Sequence, residues 1–119
     1  MTQAWVILTD PDGRDIAAPS DQQLEHALAQ VFSGAVHDPE GGRASACLRF
    51  GYDDGLMYEL EVAGGGEAKF EEWSDRDCEI ALASPRRISV SQAEALQLWL
   101  WLSQRQVAKI RSQPWHSGA

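Results

Sequence analysis

The chain reads as an α+β domain in which an antiparallel β-meander packs one face against two helices. Three observations predict this. Between Ser45 and Leu82, four segments alternate apolar and polar residues with a period of two, and Gly, Asp or Ser bounds each of them. Two further segments, opening at Ser20 and at Ser91, place apolar residues at helical spacing behind a capping-box pattern. At 119 residues and 44% hydrophobic, the chain is sized for one core, so residues 1–119 are expected to form a single domain.

Trp5 to Thr9 is aromatic and β-branched enough for a first strand, and Asp10-Pro11-Asp12-Gly13 is a turn signal that ends it. Ser20, with Gln23 three residues on, then caps a helix. Leu24, Ala27, Leu28, Val31 and Phe32 fall on one face of that helix, and Gly34 is its expected stop. The segment from His37 to Arg43, with Pro, two glycines and two acids, reads as an exposed loop.

The meander strands are Ser45 to Gly51, Leu56 to Val62, Ala68 to Trp73 and Cys78 to Ala83. Asp53-Asp54-Gly55 suits a three-residue hairpin loop with Gly55 in the left-handed position, which sets Phe50 opposite Tyr58, Leu48 opposite Leu60 and Ala46 opposite Val62. A five-residue loop from Ala63 to Glu67 sets Leu60 against Phe70, and one from Trp73 to Asp77 sets Phe70 against Ile80. The buried row is then Leu48, Leu60, Phe70 and Ile80. Because successive side chains of a strand point to opposite faces, the other face carries Arg49, Glu59, Glu71 and Glu79 side by side, with Glu61 among them.

After the meander, Ser84-Pro85-Arg86-Arg87 reads as a basic connector and Ile88 to Val90 as a short extended piece. Ser91 and Glu94 form the second capping box, and good helix formers run from there to about Ile110 or Arg111. Leu96, Trp99, Leu100, Val107 and Ile110 make one apolar face of this helix, with Leu98, Trp101 and Leu102 to its side. So wide an apolar surface calls for cover from both the sheet and the first helix, or for use as a contact patch.

A net charge of -8 disfavours nucleic acid or an anionic membrane as a direct partner and favours a cationic one. No run approaches the roughly 18 apolar residues of a transmembrane helix, and the first ten residues read as a strand and not as a secretion signal, so a cytoplasmic location is expected. Cys47 and Cys78 lack metal spacing and, in the register above, face opposite ways, which makes them ordinary thiols.

Catalytic signatures are missing from the sequence. His26, His37 and His116 form no metal pattern, and neither HExxH nor paired CxxC occurs. Asp10, Asp12 and Asp15 resemble the start of a calcium loop but lack its sixth-position glycine and closing glutamate. Ala63-Gly64-Gly65-Gly66-Glu67 joins two strands without a following helix or Gly-Lys-Ser/Thr, so it is no phosphate cradle, and no GxSxG elbow exists. The expectation is a binding protein with no catalytic residue, no cofactor and no metal.

Several stretches resemble the bacterial immunity proteins of polymorphic toxin systems, in particular the first-numbered immunity family. They are Gly55-Leu56-Met57-Tyr58-Glu59-Leu60 in the sheet, Ile88-Ser89-Val90-Ser91-Gln92-Ala93-Glu94-Ala95-Leu96 leading into the last helix, and Pro114-Trp115 after it. The resemblance implies a small cytoplasmic α+β protein that binds a cognate secreted antibacterial toxin and occludes its active site. The acidic face agrees with this, since a toxin with a basic active-site cleft would be steered toward it. Met57 and Trp73, paired and outward-facing, are the expected anchors beside Glu59, Glu61, Glu71 and Glu79, with Asp53, Asp54, Asp75 and Asp77 as the rim. The competing expectation is an adaptor or secretion-chaperone-like module that uses the Trp-rich C-terminal helix; a homodimer is compatible with either.

Overall fold

The computed structural model describes residues 4–33, 45–52, 55–64, 66–74 and 86–117. Along the chain these form β1 (Ala4–Thr9), β2 (Asp15–Ala17), α1 (Asp21–Ser33), β3 (Ser45–Tyr52), β4 (Met57–Ala63), β5 (Glu67–Trp73), β6 (Arg86–Ser89), α2 (Gln92–Ser103), α3 (Val107–Arg111) and β7 (His116–Ser117). The strands make one antiparallel sheet in the order β2-β1-β3-β4-β5-β6-β7. The α+β class is as expected, with the helices on one face.

Turn chemistry sets the central register as the sequence predicts. Phe50 pairs with Tyr58, Leu48 with Leu60, Ala46 with Val62, and Leu60 with Phe70. Gly55 takes a positive φ of 116° and its N–H donates to the Tyr52 carbonyl at 3.0 Å, closing the first hairpin. The second hairpin is tighter than expected, because Ala63 and Glu67 pair and leave only residues 64–66 in the loop. Gly66 has φ 83° there, and a Cβ on it would stand 2.6 Å from the Val90 carbonyl oxygen.

The fourth meander strand is where expectation and structure part. Phe70's neighbour on the side away from β4 is Arg86, and Ala68's is Ile88. The basic connector and short extended piece thus supply the strand that was assigned to Cys78–Ala83. Ile80 therefore does not oppose Phe70, and the expected strand lies outside the described residues. Alternation alone could not choose between two short runs following the same strand. Strand β2 also went unpredicted, being three residues long and exposed at two of them.

The helix-covered face of the sheet closes the core. Leu8, Leu48, Phe50, Leu60, Val62 and Phe70 meet Leu24, Leu28 and Val31 of α1 and Leu98, Trp99 and Leu102 of α2, all nearly inaccessible. Each such fully buried aliphatic or Phe side chain contributes about 1.5–3 kcal/mol over its exposed state. Helix α1 starts with the expected capping box, Ser20 N–H to Gln23 Oε1 at 2.8 Å and Gln23 N–H to Ser20 Oγ at 3.2 Å. Helix α2 starts with Ser91 and Glu94 in the same reciprocal arrangement.

Two features of the last helical segment differ from expectation. Its buried stripe is Ala95, Leu98, Trp99 and Leu102, whereas Leu96, Leu100 and Trp101 are only half-buried. A helix apolar on nearly every side cannot be oriented by periodicity; the Trp99 indole, donating to the Leu60 carbonyl at 3.1 Å, fixes it instead. The segment also breaks after Ser103. Arg105 takes φ 64°, its N–H bonds Leu102 O at 3.0 Å, and the Gln106 N–H bonds Trp101 O at 2.8 Å. This is a Schellman closure, in which glycine usually occupies the left-handed position. With arginine there, the stop had no sequence signal.

Beyond the break, the chain runs through α3 and returns to the sheet, where β7 pairs with β6 at the edge. Trp115 stacks on Phe70 with ring centroids 5.7 Å apart, and its indole donates to Ile110 O at 2.7 Å. Glu72, on the covered face and 5% exposed, accepts from Arg111 at 2.5 Å and pairs with Arg86 at 3.0 Å. Arg111 also lies over the Tyr58 ring, and Arg86 over Phe70. A buried carboxylate is tolerable because two guanidiniums neutralise it and saturate its oxygens.

Candidate functional site

The opposite face of the sheet is covered by none of the described helices, and the register assembles its surface in rows. One row runs Ile7, Arg49, Glu59, Glu71; the next runs Thr9, Cys47, Glu61, Lys69, Arg87; a third runs Trp5, Gly51, Met57, Trp73. The expected alignment of Arg49, Glu59 and Glu71 is present, as is the pairing of Met57 with Trp73. Asp53, Asp54, Asp75, Asp77 and Glu79 lie outside the described residues.

Cations relieve the carboxylate row. Glu59 meets Arg49 at 3.5 Å and Glu71 meets Lys69 at 2.9 Å, and the two carboxylates keep only 18% and 13% of their side-chain exposure. Arg49 also approaches Thr9 Oγ1 at 3.5 Å, and that hydroxyl donates to Asp15 at 2.7 Å, so a polar chain crosses from β2 to β4. Opposite charges interleaved this way cancel the Glu59–Glu71 repulsion, which at about 5 Å would cost roughly 0.8 kcal/mol in water. Glu61, between Cys47 and Lys69, makes no ion pair among the described residues. The hydrogen bond that Lys69 donates to the Glu71 carboxylate holds the lysine above its ordinary value. Burial foremost, and then Glu59, push the Cys47 thiol far up, so this cysteine, 6% exposed, stays protonated and unreactive.

The aromatic row corrects one expectation. Met57 faces outward but is 2% exposed, so it supports the surface from beneath instead of presenting an anchor. Trp5, which sequence reasoning placed only in a strand, joins this row by lying on Gly51. A Cβ at Gly51 would run into the Trp5 ring and stand 2.9 Å from Leu56 O, which is why the position is bare. A glycine inside a strand opposite a tryptophan was the available signal. Trp73 is half-buried, and its indole N–H is buried without a hydrogen-bond partner among the described residues.

The rival surface on α2 is narrower than expected. Leu98 is 4% exposed and belongs to the core. Trp101 remains half-buried in a groove of about 350 Å³ with Ile88, Val90 and Pro114.

The three-aspartate cluster is accounted for locally: Asp10 Oδ1 accepts from the Asp12 and Arg14 N–H groups at 3.0 and 2.9 Å, and Asp15 accepts from Thr9. Among the described residues no group of His, Cys, Asp and Glu is placed to hold a metal, and no helix is long and apolar enough to cross a membrane. Searches of protein-family models, curated proteins and solved structures find no match to this chain.

Proposed function

We propose that this chain is an immunity protein that binds a cognate secreted antibacterial toxin and occludes its active site with the uncovered sheet face. One observation carries the reading: a broad sheet face covered by none of the described helices, where Glu59, Glu61 and Glu71 stand in register beside the half-buried indoles of Trp5 and Trp73. Half-desolvated carboxylates beside aromatic edges combine steering with anchorage, the pattern that concentrates binding energy at protein interfaces. The partner this face suits has a basic cleft. Nothing in the proposal requires a cofactor or a catalytic residue.

The test is charge reversal at Glu59 and Glu71 together, with a toxin domain whose lethality this chain suppresses on co-expression as the probe. Glu59→Lys with Glu71→Lys should weaken binding by well over tenfold, abolish protection on co-expression, and leave the circular dichroism spectrum of the free protein intact. Unchanged affinity in a folded double variant sinks the sheet-face assignment.

A second reading, an adaptor using the last helical segment, rests on Trp101 and its groove with Ile88, Val90 and Pro114. Trp101→Glu separates the two, since it should abolish binding only if this groove is the contact surface.

A further inference from the structure

The two non-glycine residues of positive φ among those described, Ala18 at 48° and Arg105 at 64°, are far apart in sequence yet line one groove of about 570 Å³ at the β1 edge. Each shapes it. The Ala18 N–H donates to the Val6 carbonyl at 2.9 Å, and the left-handed turn then takes the chain out of the ladder, so β2 ends at Ala17. The N–H and C=O of one residue in an antiparallel strand point to the same edge. The Val6 N–H therefore faces the groove with no strand beside it among the described residues, and Ala4, two residues earlier, presents its backbone on that edge as well.

Arg105 brings the charge. Arg49, Lys69, Arg86, Arg87 and Arg111 each pair with a glutamate, whereas Arg105 has no acid within ion-pair distance among the described residues. Two others share that condition: Arg14 lies in a groove with Asp10 and Asp12, and Lys109 is exposed on α3. Arg105 shares its groove with several apolar strand residues, Trp5, Val6, Ile7 and Ala17 among them, whereas Arg14's groove has Ile16 alone from the strands. An open strand edge calls for a backbone partner, and a guanidinium with no acid calls for a carboxylate.

We propose that this groove binds the free C-terminus of an extended apolar peptide. The peptide backbone pairs with the β1 edge at Val6, its side chains lie against Trp5 and Ile7, and its terminal carboxylate is held by Arg105. The groove shares Trp5 and Ile7 with the uncovered sheet face but includes none of its carboxylates, and it stands independently of the toxin reading.

The experiment titrates the full chain with acetyl-Ala-Val-Ala-Leu as the free acid and as the carboxamide, following backbone amide resonances and tryptophan emission. The acid should give saturable shifts at both Val6 and Arg105, and the carboxamide should bind about tenfold more weakly or worse. Arg105→Gly removes the guanidinium while relieving the left-handed strain, so it folds at least as well as the parent; it should erase the acid's advantage. Equal binding of acid and carboxamide, or an acid preference that survives Arg105→Gly, overturns the proposal. Shifts at Arg105 with none at Val6 would assign a plain carboxylate site and overturn the peptide reading.

Discussion

The two faces of the sheet solve the same problem differently. Both exclude most water at their centres, yet one does so with helices and the other with its own side chains. On the covered face, Leu60 and Phe70 meet Leu98, Trp99 and Leu102, and Glu72, the single buried acid among the described residues, is locked by two arginines. On the uncovered face, Met57 and Cys47 are buried beneath neighbouring side chains, while Glu59 and Glu71 have one cation each and keep some contact with solvent. Burial by itself therefore does not separate scaffold from site. What separates them is whether a polar group's bonding capacity is used up within the fold.

Removing the covered face's central indole breaks the comparison most forcefully. Trp99→Ala should cost about 3–5 kcal/mol in denaturant unfolding, since it empties a fully buried site and removes the indole's hydrogen bond to the Leu60 carbonyl. The matching change on the uncovered face is Gly51→Ala, which pushes the Trp5 ring off its seat; about 1–3 kcal/mol is expected, with a shift in tryptophan emission.

The carboxylates should divide in the same way. Glu72→Gln should cost about 2 kcal/mol, because charge-assisted bonds to two guanidiniums are lost in a dry site. Glu59→Gln should cost less than about 1 kcal/mol, as expected of a single ion pair whose carboxylate keeps more contact with solvent than Glu72 does. Equal costs for the two would erase the distinction between them.

Cys47 gives the finest test, through pH. Its thiol is raised from 9.0 by burial, so the folded chain keeps a proton that the unfolded chain gives up. This group's contribution is fully present below pH 9.0 and declines above it by about 1.4 kcal/mol per pH unit. Lys69, raised by its bond to Glu71, acts in the same direction at higher pH: its contribution is present below 10.5 and lost as pH rises through the folded value. Urea midpoints from pH 8 to 10.5 should therefore fall less steeply for Cys47→Ala than for the parent.

The central register was legible in the sequence because two short loops with glycine at demanding positions left one alignment for Leu48, Leu60 and Phe70. Both helix starts were legible because Ser20 and Ser91 carry their partners three residues on. Illegible features were those decided by competition or by exception. Two short runs followed β5, and among the described residues it is the second that pairs with it; α2 is apolar on too many sides to announce its buried stripe; Arg105 ends a helix where glycine would have signalled the stop. At the candidate site, parity placed Glu59, Glu71, Met57 and Trp73 on one face. It could not show that Met57 is covered, because that depends on neighbours across the sheet.

Strand β3 is the central partner of a local hairpin and also of β1, which precedes the whole of α1 in the chain. Pairings across three-residue loops close quickly, whereas joining β1 to β3 must first overcome the entropy of a long intervening segment. If the meander forms first on refolding, as these loop lengths predict, one side of β3 stays bare, with the backbone groups of Cys47, Arg49 and Gly51 unpaired. A bare strand edge is also where separate chains join one another. Recovery of native protein should thus decline as refolding concentration rises, with the rate of β1 docking setting how long that edge stays open.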